Sequence, residues 1–269
     1  MPDKILKIIP THQNYLKIRK SGSRPCVGRY LIFFVLVFLL FPVISLAAVD
    51  SDNDGLSDDE EMNIYHTDFQ NPDTDGDGFL DGEEIKNNYS PLVSGKKLIE
   101  ADADKDGLPD RLEINLGADP TNPDTDGDGF FDGLEVKKGF DPASPNPQKL
   151  SKRVEVDLKN QRLTYYLGDK KVDEFKISSG LPKTPTPQGD FTVLQKKPVV
   201  NYSGRGYNYP NTKWNLMFKR GPGYNFYIHG AYWHNDFGQP KSHGCVNVSY
   251  SDMPFLYEWA DKDTKISIY

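Results

Sequence analysis

The sequence has only two cysteines among its 269 residues, Cys26 and Cys245. So few cysteines exclude a framework of disulfides, and the absence of any Cys-x-x-Cys pair argues against a structural zinc site. Cys26 precedes the longest apolar run of the chain and Cys245 lies near its C-terminus, so a disulfide between them is not expected. The chemistry of each thiol therefore has to be judged from its own neighbours.

Long hydrophobic runs are also missing, except at residues 30–49, which contain no charged residue. Of the basic residues before this run, the nearest five are Lys17, Arg19, Lys20, Arg24 and Arg29. A basic flank followed by an apolar run keeps the N-terminus in the cytoplasm and directs the rest of the chain across the membrane. We interpret residues 1–29 as a cytoplasmic basic region and residues 30–49 as a signal peptide or N-terminal membrane anchor, and the sequence leaves both open. In either case, residues 50–269 are expected to be exported.

Basic residues are scarce between positions 50 and 148, where 27 Asp and Glu accompany only 7 Lys and Arg. This segment carries a net charge of −20, whereas residues 1–49 carry +6 and residues 149–269 carry +7. The chain therefore consists of regions with different chemistry. Nothing in this distribution predicts a nucleic-acid partner.

The acidic segment contains four copies of the spacing Asp-x-Asp-x-Asp-Gly-x-x-Asp-x-x-Glu. Alternating carboxylates on a tight loop direct their oxygens to one point, the glycine permits the turn, and the final Glu can close the shell with both oxygens. The acidic residues of the four loops are Asp50, Asp52, Asp54, Asp58 and Glu61; Asp73, Asp75, Asp77, Asp81 and Glu84; Asp102, Asp104, Asp106, Asp110 and Glu113; and Asp124, Asp126, Asp128, Asp132 and Glu135.

So many hard oxygens of like charge predict a bound cation, and Ca²⁺ fits six or more protein oxygens better than Mg²⁺ does. Pro72 and Pro123 directly precede the second and fourth loops, which disfavours the entering helix of an EF-hand. Loop starts are spaced 23, 29 and 22 residues apart, which indicates two duplicated pairs. Short helices are predicted after the loops, at 58–65 and 110–116.

Residues 50–141 resemble the thrombospondin type 3 repeats of exported bacterial proteins. That resemblance implies a structural role for Ca²⁺ in a spacer or adhesive segment with little hydrophobic core. With so few apolar residues, the segment is expected to be ordered by the metal and disordered without it. A Pro-rich linker at 142–151 follows it.

Residues 152–269 have a different composition, with the alternation of apolar and polar residues that is typical of half-buried strands. Strands are predicted at 154–158, 162–167, 172–178, 190–195, 213–218, 225–229 and 265–269, and one helix at 252–261. The fold class is therefore multidomain: an irregular Ca²⁺-bound repeat segment with short helices, then a mostly β domain that is sandwich-like with minor α structure. Residues 198–223, rich in aromatics and glycines, are predicted to form a flap over a cleft.

Cys245 lies in the run Ser242-His243-Gly244-Cys245-Val246-Asn247, downstream of His229-Gly230. A cysteine nucleophile needs a base that takes the thiol proton and backbone N–H groups that hold an oxyanion. Pairing with imidazole is expected to lower the pKa of such a thiol. A zinc site made of His229, His243 and Cys245 is the alternative, although no fourth ligand is evident.

These residues resemble the signature of the L,D-transpeptidase catalytic domain, and the resemblance covers nearly all of residues 152–269. It is supported by the opening strands 154–158 and Gln161-Arg162-Leu163 and by the Thr-Pro-rich segment 184–192. Many relatives carry Arg where this chain has Asn247. The resemblance implies that Cys245 is the nucleophile, that His229 is the general base and that the Gly230 carbonyl orients the imidazole. The Gly244 and Cys245 amides would be the oxyanion donors, and His243 would line the site. Substrate-site roles would belong to Ser242, Asn247 and Met217.

The implied reaction is acyl transfer through a thioester on peptidoglycan tetrapeptide stems, with no cofactor for catalysis. A neighbouring stem as acceptor would give 3→3 cross-links, and a protein Lys would anchor that protein to the wall. Two alternatives stay open: an L,D-carboxypeptidase that uses water as acceptor, and a calcium-dependent adhesive or wall-binding protein with a vestigial catalytic domain. The expected location is the periplasm or cell envelope, with membrane attachment through residues 30–49 if they are not cleaved. The isolated domain 149–269 is expected to stay active when Ca²⁺ is removed.

Overall fold

The computed structural model describes residues 48–204 and 206–269. The predicted basic region and most of the predicted signal or anchor segment lie outside the described residues. Within the described part of the chain, no helix has the length and apolar character that a membrane crossing requires.

The repeat segment consists of irregular loops that each end in a short helix. After the first loop, α1 (Asp58–Glu60) continues into a π-helical turn, Glu61–Tyr65, and the other loops lead into α2 (Asp81–Lys86), α3 (Asp110–Leu116) and α4 (Asp132–Lys138). The helices predicted at 58–65 and 110–116 are confirmed.

The loops associate in two pairs, as the spacing of the sequence predicts. The Gly82 N–H donates to Asp54 across the first pair at 3.0 Å, and the Gly133 N–H donates to Asp106 across the second at 2.5 Å. Each pair therefore brings carboxylates of two loops together through the backbone of the following helix.

The C-terminal domain is built from two sheets and one helix. The first sheet has the order β3-β2-β1-β9-β4 and the second has the order β5-β6-β7-β8. The strands are β1 (Lys152–Asp157), β2 (Arg162–Leu167), β3 (Lys170–Lys176), β4 (Gly189–Thr192), β5 (Gln195–Gly204), β6 (Tyr207–Arg220), β7 (Asn225–Gly230), β8 (Val246–Val248) and β9 (Lys265–Ile268), and α5 (Met253–Trp259) lies between β8 and β9.

The strand predicted at 190–195 is wrong in its bounds because the chain crosses between the sheets there. The Val193 N–H donates to Thr264, beside the first sheet, and the next residue, Leu194, donates to Met217 in the second sheet. The region predicted as a flap, 198–223, is largely the long antiparallel hairpin of β5 and β6.

The buried faces of both sheets form one hydrophobic core, and the second pair of repeats contributes to it. Leu108, Leu112, Leu116 and Val136 are buried in the same cluster as Val172 and other strand residues. The interpretation of the repeats as a spacer with little core is therefore wrong for the second pair, because these aliphatic side chains pack on the C-terminal domain.

Candidate functional site: a thiol–imidazole cleft and four acidic loops

Parallel pairing of β7 with β8 brings the two candidate reactive residues together. His229 lies opposite Asn247 in this register, and Cys245 lies just before β8. The positions are distant in sequence, yet the pairing places both side chains in the lining of one cavity of ≈ 630 Å³.

The loop that carries Cys245 is held by the hydroxyl of Ser242. This hydroxyl donates to the Cys245 carbonyl at 2.5 Å and accepts from the Gly244 N–H at 3.1 Å. Gly244 has φ +114°, and a Cβ there would come within 2.8 Å of Phe226, so a side chain is excluded by both conformation and space. The backbone around the thiol is therefore fixed by its own residues.

A backbone carbonyl fixes the tautomer of His229. The Nδ1 atom lies 2.9 Å from the Gly230 carbonyl, and a carbonyl can only accept, so Nδ1 carries the proton. The Nε2 atom of the neutral ring then has a free lone pair, as a general base requires.

Burial shifts the pKa values of Cys245 and His229 in the directions that favour the uncharged form of each group. It raises the pKa of the Cys245 thiol to about 11, although the backbone of Tyr227 opposes this shift. It lowers the pKa of His229 to about 4 against the effect of the Gly230 carbonyl. Desolvation therefore favours neutral thiol with neutral imidazole in the free protein, although the Cys245 side chain is only partly buried, and a lowering of the thiol pKa by imidazole stays a prediction.

Aromatic residues of the β5–β6 hairpin cover the cleft. Tyr202 stacks on His229 with ring centroids 4.6 Å apart, and Tyr207 stacks on His243 at 4.5 Å. The Tyr202 hydroxyl of β5 donates to buried Asn215 of β6 at 2.8 Å, and Asn215 lies opposite His229 in the pairing of β6 with β7. The sequence alone assigns no individual role to these aromatics, since aromatic residues in such a segment more often serve packing than recognition.

The structure places some of the other predicted site residues in the cavity and others outside it. Ser242, His243 and Asn247 line the cavity, and Asn247 hydrogen-bonds His234 at 3.1 Å. Met217 is buried and is not among the residues that line the cavity, so its place in the substrate site stays a prediction. The Gly244 amide, predicted as an oxyanion donor, is already bonded to the Ser242 hydroxyl.

Carboxylates in the acidic loops converge as the spacing predicts. Asp50, Asp52 and Asp54 place oxygens within 4.8 Å of one another, and the corresponding triplets of the second and third loops do the same. The clusters Asp54 with Glu61 and Asp81, and Asp106 with Glu113 and Asp132, combine two loops of a pair.

The ninth position of each loop also has a structural role that the spacing does not reveal. Asp81 accepts from the Thr74 N–H at 2.8 Å and from its hydroxyl at 2.6 Å, and Asp132 does the same with Thr125. Asp58 and Asp110 likewise accept from the N–H of the second loop residue. The prediction of these four residues simply as metal ligands is therefore incomplete, because their oxygens also brace the loop.

The third and twelfth positions of every loop contain buried carboxylate oxygens with no hydrogen-bond partner in the described residues. Burying an unpaired charge is costly, so these oxygens need a counter-charge. Burial, followed by neighbouring carboxylates, raises the pKa of Glu113 to about 10 and that of Glu84 to about 8. An all-oxygen set of this kind fits Ca²⁺. The residues are Asp52, Glu61, Asp75, Glu84, Asp104, Glu113, Asp126 and Glu135.

Two family models match the chain. Residues 151–268 match the L,D-transpeptidase catalytic domain, and residues 50–68, 73–88, 102–123 and 124–145 match the bacterial TSP3 repeat.

Individual proteins match the C-terminal half. A curated Bacillus licheniformis protein named L,D-transpeptidase YkuD is 28% identical over 46% of this chain and 68% of its own length. A solved L,D-transpeptidase from Mycobacterium smegmatis is 25% identical over 45% of this chain and 59% of that chain, with a TM-score of 0.42. A mutant of the Enterococcus faecium L,D-transpeptidase is 29% identical over 49% of this chain and 54% of that chain, with a TM-score of 0.41.

The chain thus spans less than two thirds of each of these two solved chains. Its catalytic half and its repeats are matched by separate family models, in the order that the sequence indicates. The C-terminal segment, residues 151–268, therefore matches an L,D-transpeptidase catalytic domain, and segments between residues 50 and 145 that match the bacterial TSP3 repeat precede it.

Proposed function

We propose that this chain is an exported L,D-transpeptidase of the cell envelope that uses Cys245 as nucleophile and His229 as general base. The observation that supports the proposal most strongly is the Nδ1–Gly230 hydrogen bond of 2.9 Å. It leaves Nε2 unprotonated in the cavity that Cys245 also lines. A thiol and a base with this tautomer are what acyl transfer requires.

The electrophile of the first step is the carbonyl between the third residue and the terminal D-Ala of a tetrapeptide stem, which is the acyl donor. The Cys245 Sγ–C bond forms as His229 takes the thiol proton, and the C–N bond to D-Ala breaks as that proton passes to the leaving amine. The oxyanion is stabilised by the Cys245 amide, since Ser242 occupies the Gly244 amide. Lys183 and Lys241 line the cavity and suit the carboxylates of a stem.

An amine then resolves the thioester: it attacks the carbonyl, the S–C bond breaks, and the proton returns through His229 to the thiolate. With the side-chain amine of a neighbouring stem the product is a 3→3 cross-link, and with a protein Lys it is a wall-anchored protein. The repeats bind Ca²⁺ through the unpartnered oxygens of the third and twelfth loop positions.

The test is intact mass spectrometry after incubation with a carbapenem, followed by reaction with tetrapeptide-containing wall fragments. We expect one covalent adduct on the wild type and none on Cys245→Ala, with cross-linked dimers as the product. Tripeptides without dimers would identify a carboxypeptidase, and no adduct on a folded wild type would identify a vestigial site. Titration calorimetry with Ca²⁺ tests the metal separately.

A further inference from the structure

The third acidic loop is continuous with a helix that lies against the catalytic domain. Its twelfth residue, Glu113, belongs to α3, and the same helix buries Leu112 and Leu116 in the core shared with the sheets. Leu108, from the loop itself, is also buried there. The geometry of this loop and the packing of the domain therefore depend on the same seven-residue helix.

Arg111, between two acidic residues of the loop, makes the main ionic contact of α3 with the catalytic domain. Its guanidinium pairs with Asp173 of β3 and with Asp252 at the start of α5, the latter at 3.1 Å. The Asp173 side chain is only 5% exposed. Removing one partner of such a pair leaves a buried charge without compensation, so α3 has to be in place for the domain to be stable.

Backbone contacts strengthen the same interface. The Asn115 side chain donates to the Val172 carbonyl at 3.0 Å, and Lys170 of β3 donates to the Leu116 carbonyl at 3.1 Å. From the fourth loop, the Lys137 carbonyl accepts from buried Lys152 at 2.6 Å. The second pair of repeats thus supplies partners to polar groups of the catalytic domain.

The first pair has no comparable contacts. In the part of the chain that the structure describes, no hydrogen bond or ion pair joins residues 48–98 to residues 151–269. The ion pair of His66 with Asp119, at 3.1 Å, joins the first two loops to the third and fourth loops instead. Loops of nearly identical sequence therefore have different positions relative to the catalytic domain.

Glu113 indicates that a cation is needed in the third loop. The residue is fully buried, at 0% exposure, and both carboxylate oxygens lack a partner among the described residues. They lie beside Asp106 and Asp132 in a cluster of oxygens within 4.8 Å of one another. Without a counter-charge these carboxylates repel one another, and the repulsion acts directly on α3.

We propose that the third loop is a structural cation site of the catalytic domain, whose occupant holds α3 on β3 and α5, whereas cations in the first two loops leave the catalytic domain unaffected. The proposal rests on Ca²⁺ binding by the repeats and does not depend on the identity of the reaction.

Tryptophan fluorescence of the full chain tests this proposal, because all three tryptophans (Trp214, Trp233 and Trp259) lie in the catalytic domain. Thermal unfolding is followed with Ca²⁺ and with a chelator, in the wild type, Glu113→Gln and Glu61→Gln. Glu61 is the matched control, since it closes the first loop and is also fully buried. We expect Ca²⁺ to raise the midpoint by roughly 5–10 °C in the wild type and in Glu61→Gln, and Glu113→Gln to lose most of that rise.

Equal loss of the rise in both variants would overturn the proposal, as would a wild-type midpoint that does not respond to Ca²⁺ although calorimetry detects binding. If Glu113→Gln does not fold, Asp104→Asn is compared with Asp52→Asn in the same way. Absence of Ca²⁺ binding in calorimetry would overturn the calcium assignment itself, whereas a missing carbapenem adduct would affect only the proposed enzyme activity.

Discussion

Burial favours the uncharged forms of Cys245 and His229, the two residues that the proposed function makes nucleophile and base. With a pKa of about 11, the thiol of the free protein is almost entirely protonated at neutral pH. With a pKa of about 4, His229 remains a neutral base in mildly acidic solution. In the proposed reaction the proton therefore moves to the imidazole during attack, because these pKa values favour neutral partners over an ion pair in the free protein.

The first prediction concerns the pH dependence of alkylation and catalysis. The thiolate fraction of Cys245 at pH 7 is on the order of 10⁻⁴, so alkylation by iodoacetamide should be slow and should still increase with pH beyond about 9. His229 is protonated only as the pH falls through about 4, so kcat/KM should persist at about pH 5, where a base of ordinary pKa near 6.5 would be lost. Peptide mapping distinguishes Cys245 from Cys26. An alkylation plateau near pH 8.5, or an acid limb near 6.5, would contradict these pKa values.

At the scale of elements, the β5–β6 hairpin places an aromatic ring over the imidazole of His229. Tyr202 covers the His229 ring, and its hydroxyl is held by Asn215. Tyr207 lies on the same hairpin but stacks on His243. The two tyrosines therefore provide a matched pair for testing the effect of coverage on the base.

The second prediction is that Tyr202→Ala raises the pKa of His229 towards its ordinary value, because the desolvation that lowers it is removed. The acid limb of kcat/KM should then move to higher pH, and activity on that limb should fall about tenfold for each pH unit by which the limb moves. Tyr202→Phe should preserve the limb, since the ring remains, and Tyr207→Ala should leave it unchanged. A limb that moves equally in Tyr202→Ala and Tyr207→Ala would mean that the hairpin acts only through general stability.

The sequence is informative about elements with a regular apolar pattern. The strand at 162–167 and the helix at 110–116 have the predicted bounds, because their buried residues recur with strand and helix periods. The long hairpin could not be predicted in full because Lys, Asn, Pro and Gly interrupt the alternation of apolar and polar residues. The hairpin is held instead by backbone pairing of β5 with β6. The crossing at Val193 and Leu194 has no local signal either, since both are apolar residues that suit a strand and no Gly or Pro stands between Phe191 and Gln195.

The candidate sites could be predicted only in part, because motifs and spacing identify residues but do not show how the fold arranges them. Motifs identified Cys245 and His229, but only the parallel register of β7 and β8 places them in one cavity. Loop spacing identified the acidic residues, yet it cannot show that the oxygens of Asp81 also accept from Thr74. Met217 lies outside the cavity lining, and residue type alone does not show which way a strand residue faces.

At the scale of the whole molecule, the boundary between repeats and enzyme does not coincide with the Pro-rich linker. The sequence alone predicts that residues 149–269 form an independent domain. The structure places four aliphatic side chains of the second repeat pair in its core, together with the Arg111 ion pairs. The functional unit therefore includes the third and fourth loops.

The third prediction compares two truncations, one beginning at residue 149 and one at residue 99. Burying each aliphatic side chain contributes about 1.5–3 kcal/mol, so losing Leu108, Leu112, Leu116 and Val136 removes roughly 6–12 kcal/mol, which is comparable to the whole stability of a domain. We expect residues 99–269 to unfold cooperatively in the presence of Ca²⁺ and residues 149–269 to be unfolded or aggregated. Tryptophan fluorescence and limited proteolysis measure this, and equal midpoints for the two chains would show that the catalytic domain folds without its calcium loops.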